Sequence, residues 1–145
     1  MSETPDAGDV AHILISSIGL VIRCARRVKS EGEVSLPELS ALKRLERGGP
    51  ATSAALAKFE QISPQSMGAT LGALEARGLI ERRPDPHDGR QSVLSLSDAG
   101  QQLVRNGRTR RTERIAQALA ANFTATELEQ LLAAAPLLER LAQHL

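Results

Sequence analysis

The run from Glu81 to Arg90 carries Arg82 and Arg83 on one side of two prolines and Arg90 on the other, and it holds the residues best equipped to bind a partner. Arginine presents a rigid fork of N–H donors and keeps its charge at physiological pH, so it matches phosphate oxygens and base edges. Between Pro84 and Gly89 the density of proline, aspartate and glycine makes Asp85 to Arg90 the tip of a hairpin. Leu79 to Arg83 leads in as a strand that Pro84 ends, and Gln91 to Ser97 returns. Alternation in the returning strand puts Leu94 and Leu96 on one face and Val93, Ser95 and Ser97 on the other. The formal net charge of +1 hides this feature, because residues 77–114 hold nine arginines against five acids while residues 1–10 hold three acids and no base. A local positive potential of this kind favours phosphate contact, with salt-dependent binding through counterion release. The competing reading is a solvated charged face.

A basic loop needs a scaffold, and the residues before it provide one. Ser63 suits a helix cap with Pro64 at the first helical position, and Met67, Leu71 and Leu74 recur on one face. A helix over 63–77 is predicted, closed by Gly78 in a left-handed conformation. Its outer face carries Gln65, Ser66, Ala69 and Ala73, which are short and uncharged, with Thr70 as a further candidate contact beside Ser63. Upstream, Ser35 with Glu38 forms a capping-box pattern ahead of Leu36, Leu39, Leu42 and Leu45, and Gly48-Gly49-Pro50 ends that helix. A short helix from about Thr52 to Phe59 follows, with Leu56 and Phe59 expected inward. Lys58 at its end is a candidate phosphate contact, although a surface lysine is more often only solvated. A small-residue helix followed by a hairpin bearing Arg82, Arg83 and Arg90 is the layout of a winged helix-turn-helix, which sets one helix in the major groove and a basic loop beside it.

The run LEARGLIERRPDPHDGRQSVLSLSDAG, preceded by PELSALKRL, resembles the multiple antibiotic resistance regulator (MarR) family of bacterial transcription factors, over nearly the whole chain from about Val10 to Leu145. The most specific part is the D-P-x-D-x-R wing signature, met by Asp85, Pro86, Asp88 and Arg90 between L-E-x-x-G-L-I and L-S-x-x-G. The resemblance implies that Arg90 reaches into the minor groove and that Asp88 orients it. It also implies a homodimer joined through terminal helices, more often a repressor than an activator. A small-molecule effector would enter between those helices and the DNA-binding lobe, with Ile18, Ile22, Leu39 and Leu42 as candidate walls. One departure stands out: family members often carry arginine where this chain has Ala69, and the neighbours are Gly68 and Gly72. Less direct base readout then leaves more of the specificity to the wing and to DNA shape.

Composition narrows the alternatives. A chain of 145 residues and 15.5 kDa suits one domain, expected over residues 10–145, and 41% hydrophobic residues allow a core of leucine and alanine between helices. With Phe59 and Phe123 as its aromatic residues, the chain has no platform on which to stack single-stranded bases, whereas duplex DNA stays open. A single cysteine, Cys24, forbids an internal disulfide and suits a reducing cytoplasm. Cys24 reads as a small packing residue, with a redox role beside Arg23, Arg26 and Arg27 as the alternative. No membrane association is expected, since the apolar run Ile13 to Cys24 is interrupted by Ser16, Ser17 and Arg23 and is short for a bilayer. The motifs of hydrolases, metalloproteases and nucleotide-binding loops are missing, so no enzyme activity, cofactor or metal is expected, and His12, His87 and His144 are widely separated.

In chain order, residues 1–9 read as a flexible arm, and residues 10–30 as a helix whose apolar stripe exceeds what one monomer face needs. The winged-helix lobe spans 35–100. Residues from about 105 to 145 form the second set of dimerisation helices, entered through a long, partly polar helix from Asp98 to about Asn122. Thr124 with Glu127 caps the last amphipathic helix, and Pro136 is expected to bend it. The fold class is therefore mainly α, a winged helix-turn-helix with long terminal dimerisation helices and a small β-hairpin wing. The functional expectation is a dimeric regulator of double-stranded DNA, with recognition helix 63–77 and wing 84–92 on a pseudo-palindrome whose half-sites lie about 34 Å apart. A winged-helix protein-interaction module with little DNA affinity is the alternative.

Overall fold

The computed structural model describes residues 4–28, 33–107 and 109–145. It divides into two compact units, residues 1–108 and 109–145. The first unit contains α1 (Ala7–Arg26), α2 (Leu36–Gly48), β1 (Ala51–Thr52), α3 (Ser53–Phe59), α4 (Pro64–Ala76), β2 (Ile80–Pro84), β3 (Ser92–Leu96) and α5 (Asp98–Asn106). The second contains α6 (Arg110–Asn122) and α7 (Ala125–Ala142). The fold is mainly helical with one small antiparallel sheet, as expected.

The lobe begins where the capping box said it would. The Ser35 side chain accepts the Glu38 N–H at 3.3 Å and the Glu38 carboxylate accepts the Ser35 N–H at 3.1 Å, while Gly49, at φ 74°, closes α2. The helix turns Ala41, Leu42 and Leu45 inward against Leu56 and Ala57 of α3, Met67, Leu71 and Leu74 of α4, and Leu94 of β3. Each fully buried leucine contributes roughly 1.5–3 kcal/mol, so these side chains dominate the lobe's stability. Phe59 does not join them. It is 58% exposed, with the Arg44 guanidinium over its ring, because the core beside α3 is already filled by smaller aliphatic side chains. β1 was not anticipated, being too short to show a period. It pairs Ala51 with Leu94 and Thr52 with Val93, giving the order β1-β3-β2, which makes β3 the central strand and seals Leu94.

Outside the lobe several expectations change. α1 begins at Ala7, three residues before the helix start expected at Val10, because Asp6 accepts the N–H groups of Gly8 and Asp9. At the other end α1 stops at Arg26, and the expected continuation through Lys29 and Ser30 lies outside the described residues. The helix expected from Asp98 to Asn122 is broken. Gly107, at φ 56°, ends α5, and Thr109 starts α6 through a reciprocal cap with Thr112. α7 is capped by Thr124 and Glu127 and runs on through Pro136. Neither α1 nor α7 has a buried residue, and Ile15 and Leu132 are about three-quarters exposed. Cys24 is likewise exposed on α1 and packs no core. At 20 residues and mean hydropathy 1.5, α1 is long and apolar enough to cross a membrane by length and composition, so shortness does not argue against a span.

The hairpin is fastened to α4 at one joint. Gly78, at φ 70°, turns the chain out of the helix, and the Leu79 N–H returns to the Leu74 carbonyl at 3.0 Å. Ser97 then closes the joint from the far end of β3: its hydroxyl donates to the Gly78 carbonyl at 2.6 Å and accepts the Gly100 N–H, while its own N–H bonds the Leu79 carbonyl. Gly100 is buried, and a Cβ there would collide with the Leu79 carbonyl oxygen. Gly100→Ala is therefore expected to destabilise the lobe by about 1–3 kcal/mol, because the added Cβ is overpacked against the Leu79 backbone. A urea melt showing an unchanged midpoint would contradict this account of the joint.

Candidate nucleic-acid interface

Ser63 caps α4 by accepting the Ser66 N–H at 3.0 Å, and Pro64 occupies the first helical position, where its missing N–H costs nothing. Met67, Leu71 and Leu74 point into the core, which leaves Gln65, Ser66, Gly68, Ala69 and Gly72 exposed. Thr70 is half-buried. The Ser63 hydroxyl is engaged twice, as cap and as donor to the Ser66 Oγ at 2.9 Å, so its role here is to place the first turn. The exposed face has two glycines and one alanine near its middle, and so lets a partner's surface approach the helix backbone closely.

The wing is ordered by its aspartates. Asp85 Oδ1 accepts the His87 N–H at 2.9 Å, and Asp88 Oδ1 accepts the Arg90 N–H at 3.1 Å. The strands are joined again by Asp85 N–H to the Gln91 carbonyl and by Gln91 N–H to the Asp88 carbonyl. Asp88 thus orients Arg90 through its backbone. These side-chain-to-backbone turns offer the loop a structure that a tip without a core of its own would lack.

The three wing arginines differ in their surroundings. Arg82 Nε lies 3.0 Å from Glu75 on the last turn of α4, and Arg83 lies 3.5 Å from Glu81. Exposed pairs of this type are worth about 0–1 kcal/mol, so a phosphate can displace either carboxylate at small cost. Among the described residues Arg90 faces no carboxylate within ion-pair distance, and its charge is therefore the least compensated of the three. Arg82 and Arg90 line one cleft with Thr52, Ser53, Pro64 and Ser92, where the start of α3, the start of α4 and the wing converge. The sequence reading missed Glu75, Thr52, Ser53 and Ser92. Glu75 had a signal in the L-E-x-x-G-L-I pattern, seven residues before Arg82 across the Gly78 turn, but the alignment of the other three depends on β1.

The candidate effector walls differ in burial. Leu42 is fully enclosed in the lobe core and Leu39 packs against that core, while Ile18 and Ile22 are exposed on α1. Leu42 is a candidate wall through the family resemblance, and the structure gives its side chain to the core. Among the described residues no group of three or more His, Cys, Asp or Glu side chains is placed to hold a metal ion.

A capped helix with an open face, set beside a basic two-stranded loop on a small three-stranded sheet, defines a winged-helix DNA-binding protein. The chain belongs to the MarR family, whose model matches residues 34–92. An uncharacterised HTH-type transcriptional regulator of Mycobacterium bovis is 39% identical over 111 residues, which cover 74% of this chain and 78% of the relative. A Pseudomonas aeruginosa protein assigned as a transcriptional regulator is 32% identical with a TM-score of 0.71, over 96% of this chain and 98% of that one. Streptococcus pneumoniae FabT, solved in complex with DNA, shares the fold at 18% identity and a TM-score of 0.61, over 96% of this chain and 99% of its own. The protein is a transcriptional regulator with a DNA-binding winged helix.

If the Asx turns hold the wing, Asp88→Ala should speed exchange of the Arg90 amide hydrogen several-fold, while Asp88→Asn, which keeps an acceptor oxygen, should leave it near the parent rate. Equal exchange in all three proteins would show that the turn does not depend on the side chain.

Proposed function

We propose that the chain acts as a homodimeric repressor that reads a pseudo-palindromic operator. The observation that carries this reading is the open, uncharged face of α4 beside an Arg90 with no carboxylate partner among the described residues. The helix enters the major groove with Gln65, Ser66, Ala69 and Thr70 toward the bases, and Arg90 takes the adjoining minor groove. Arg82 and Arg83 exchange their carboxylates for phosphates. FabT bound to DNA is a precedent for this fold on a duplex. The bare apolar surfaces of α1 and α7 favour a second copy as their cover, since patches of that size on a soluble monomer mark an interaction site. Two such subunits present two recognition helices, and a ligand that prefers one spacing of them would release the operator.

Selection of bound duplexes from a random pool tests the reading directly. Two half-sites about 34 Å apart are expected, and a pool with no enriched sequence would favour the protein-interaction alternative that the small, arginine-free face of α4 suggests. On the selected site, Arg90→Ala should weaken binding by about 1–3 kcal/mol in a fluorescence titration, and undiminished affinity would remove the wing from the reading. Substituting Arg82 and Arg83 together should lower the slope of log affinity against log salt by up to about 2 per subunit, less whatever Glu75 and Glu81 already screen. An unaltered slope would mean that neither touches a phosphate.

A further inference from the structure

Phe59 is one of two phenylalanines in a chain without tyrosine or tryptophan, yet it lies outside the core at the end of α3. Beside it, between the end of α2 and α3, is a cleft of about 220 Å³ lined by Arg44, Gly48, Ala51, Ala55, Leu56 and Phe59. Its surfaces are apolar except for Arg44. The guanidinium lies over the Phe59 ring as a cation on its π face. Among the described residues Arg44 meets no carboxylate within ion-pair distance. The neighbouring acids are engaged or outside the cleft: Glu60 accepts the Ser40 hydroxyl at 2.6 Å, and neither it nor Glu46 lines the space. Gly48 leaves room, since a Cβ there would meet nothing nearer than Arg44 Nε at 4.0 Å.

We infer that this cleft is a binding site for a small organic carboxylate with an apolar body, its charge on Arg44 and its body against Phe59, Leu56, Ala55 and Ala51. A charged donor at the rim of an otherwise apolar space selects an anion that can shed its own water along one side, because a neutral molecule gains the same burial without the charge-assisted hydrogen bonds. The site lies within the DNA-binding lobe and shares no residue with the α1 side chains Ile18 and Ile22. Its walls belong to elements that matter for DNA contact: Ala51 pairs with Leu94 of β3, and α3 packs on α4.

The test is a nuclear magnetic resonance titration of the full chain with cyclohexylacetate, and with the uncharged cyclohexylacetamide as comparison. Saturable shifts are expected at the amides of Gly48, Ala51 and Ala55, with the acid bound about tenfold more tightly than the amide. Arg44→Gln should bring the two affinities together, and Gly48→Leu should abolish both by filling the space. A Phe59→Ala variant, a change at an exposed side chain, gives a second measure through weakened binding of acid and amide alike. Absence of saturable shifts at those amides, equal affinity for acid and amide in the parent protein, or an Arg44→Gln variant that keeps the full preference would each overturn the assignment. None of these readouts involves DNA, so they stand apart from the operator measurements.

Discussion

The clasp between Ser97 and Gly78 is the interaction on which the rest of this structure depends. One hydroxyl bonds the carbonyl that follows the recognition helix and also caps the helix that follows the wing. The two segments are 19 residues apart, and the close approach of Gly100 to Leu79 leaves no room for them to drift. A winged helix contacts a duplex at two places whose separation must suit the grooves. A rigid joint at the root of the wing supplies that separation before DNA arrives and reduces the ordering cost of binding.

From that joint outward the order becomes more local. Leu94 in the central strand and Leu71 and Leu74 in α4 share one core, so the base of the hairpin and the recognition helix move together. The tip beyond Pro84 has no core, and its shape comes from Asp85 and Asp88 bonding the backbone two residues ahead. Charge is graded along the same path. Arg82 at the root has a carboxylate at 3.0 Å, Arg83 has a looser one, and Arg90 at the tip has none among the described residues. The least compensated charge, Arg90, thus faces the cleft shared with the starts of α3 and α4.

The apolar helices are a different case. α1 and α7 are amphipathic by pattern yet bury nothing within the chain, and their exposed isoleucines and leucines account for most of the large hydrophobic surface. Caps are complete at their N-termini, through Asp6 for α1 and the Thr124–Glu127 box for α7. Both helices are therefore locally specified and left to be covered by a second copy in the proposed dimer. Among the described residues α1 is also long and apolar enough for a membrane span, which shows how little hydropathy says about what covers an apolar helix.

Much of the lobe was legible in the sequence because its signals are short-range. Ser35 with Glu38, Ser63 with Pro64, Gly78, and the turn formers from Pro84 to Gly89 each act within a few residues, and each sits where local chemistry places it. Gly107 had the same chemistry but was overridden by the helical composition around it, and the break it makes emerged only in the structure. What tertiary structure decided is everything that depends on neighbours distant in sequence. It added β1, two residues long and defined by its partner; it excluded Phe59 from a core already full of leucine; it enclosed Leu42, which the family resemblance had offered to a ligand; and it set Glu75 against Arg82. A cap needs only its own turn, whereas burial and pairing need the other elements in place.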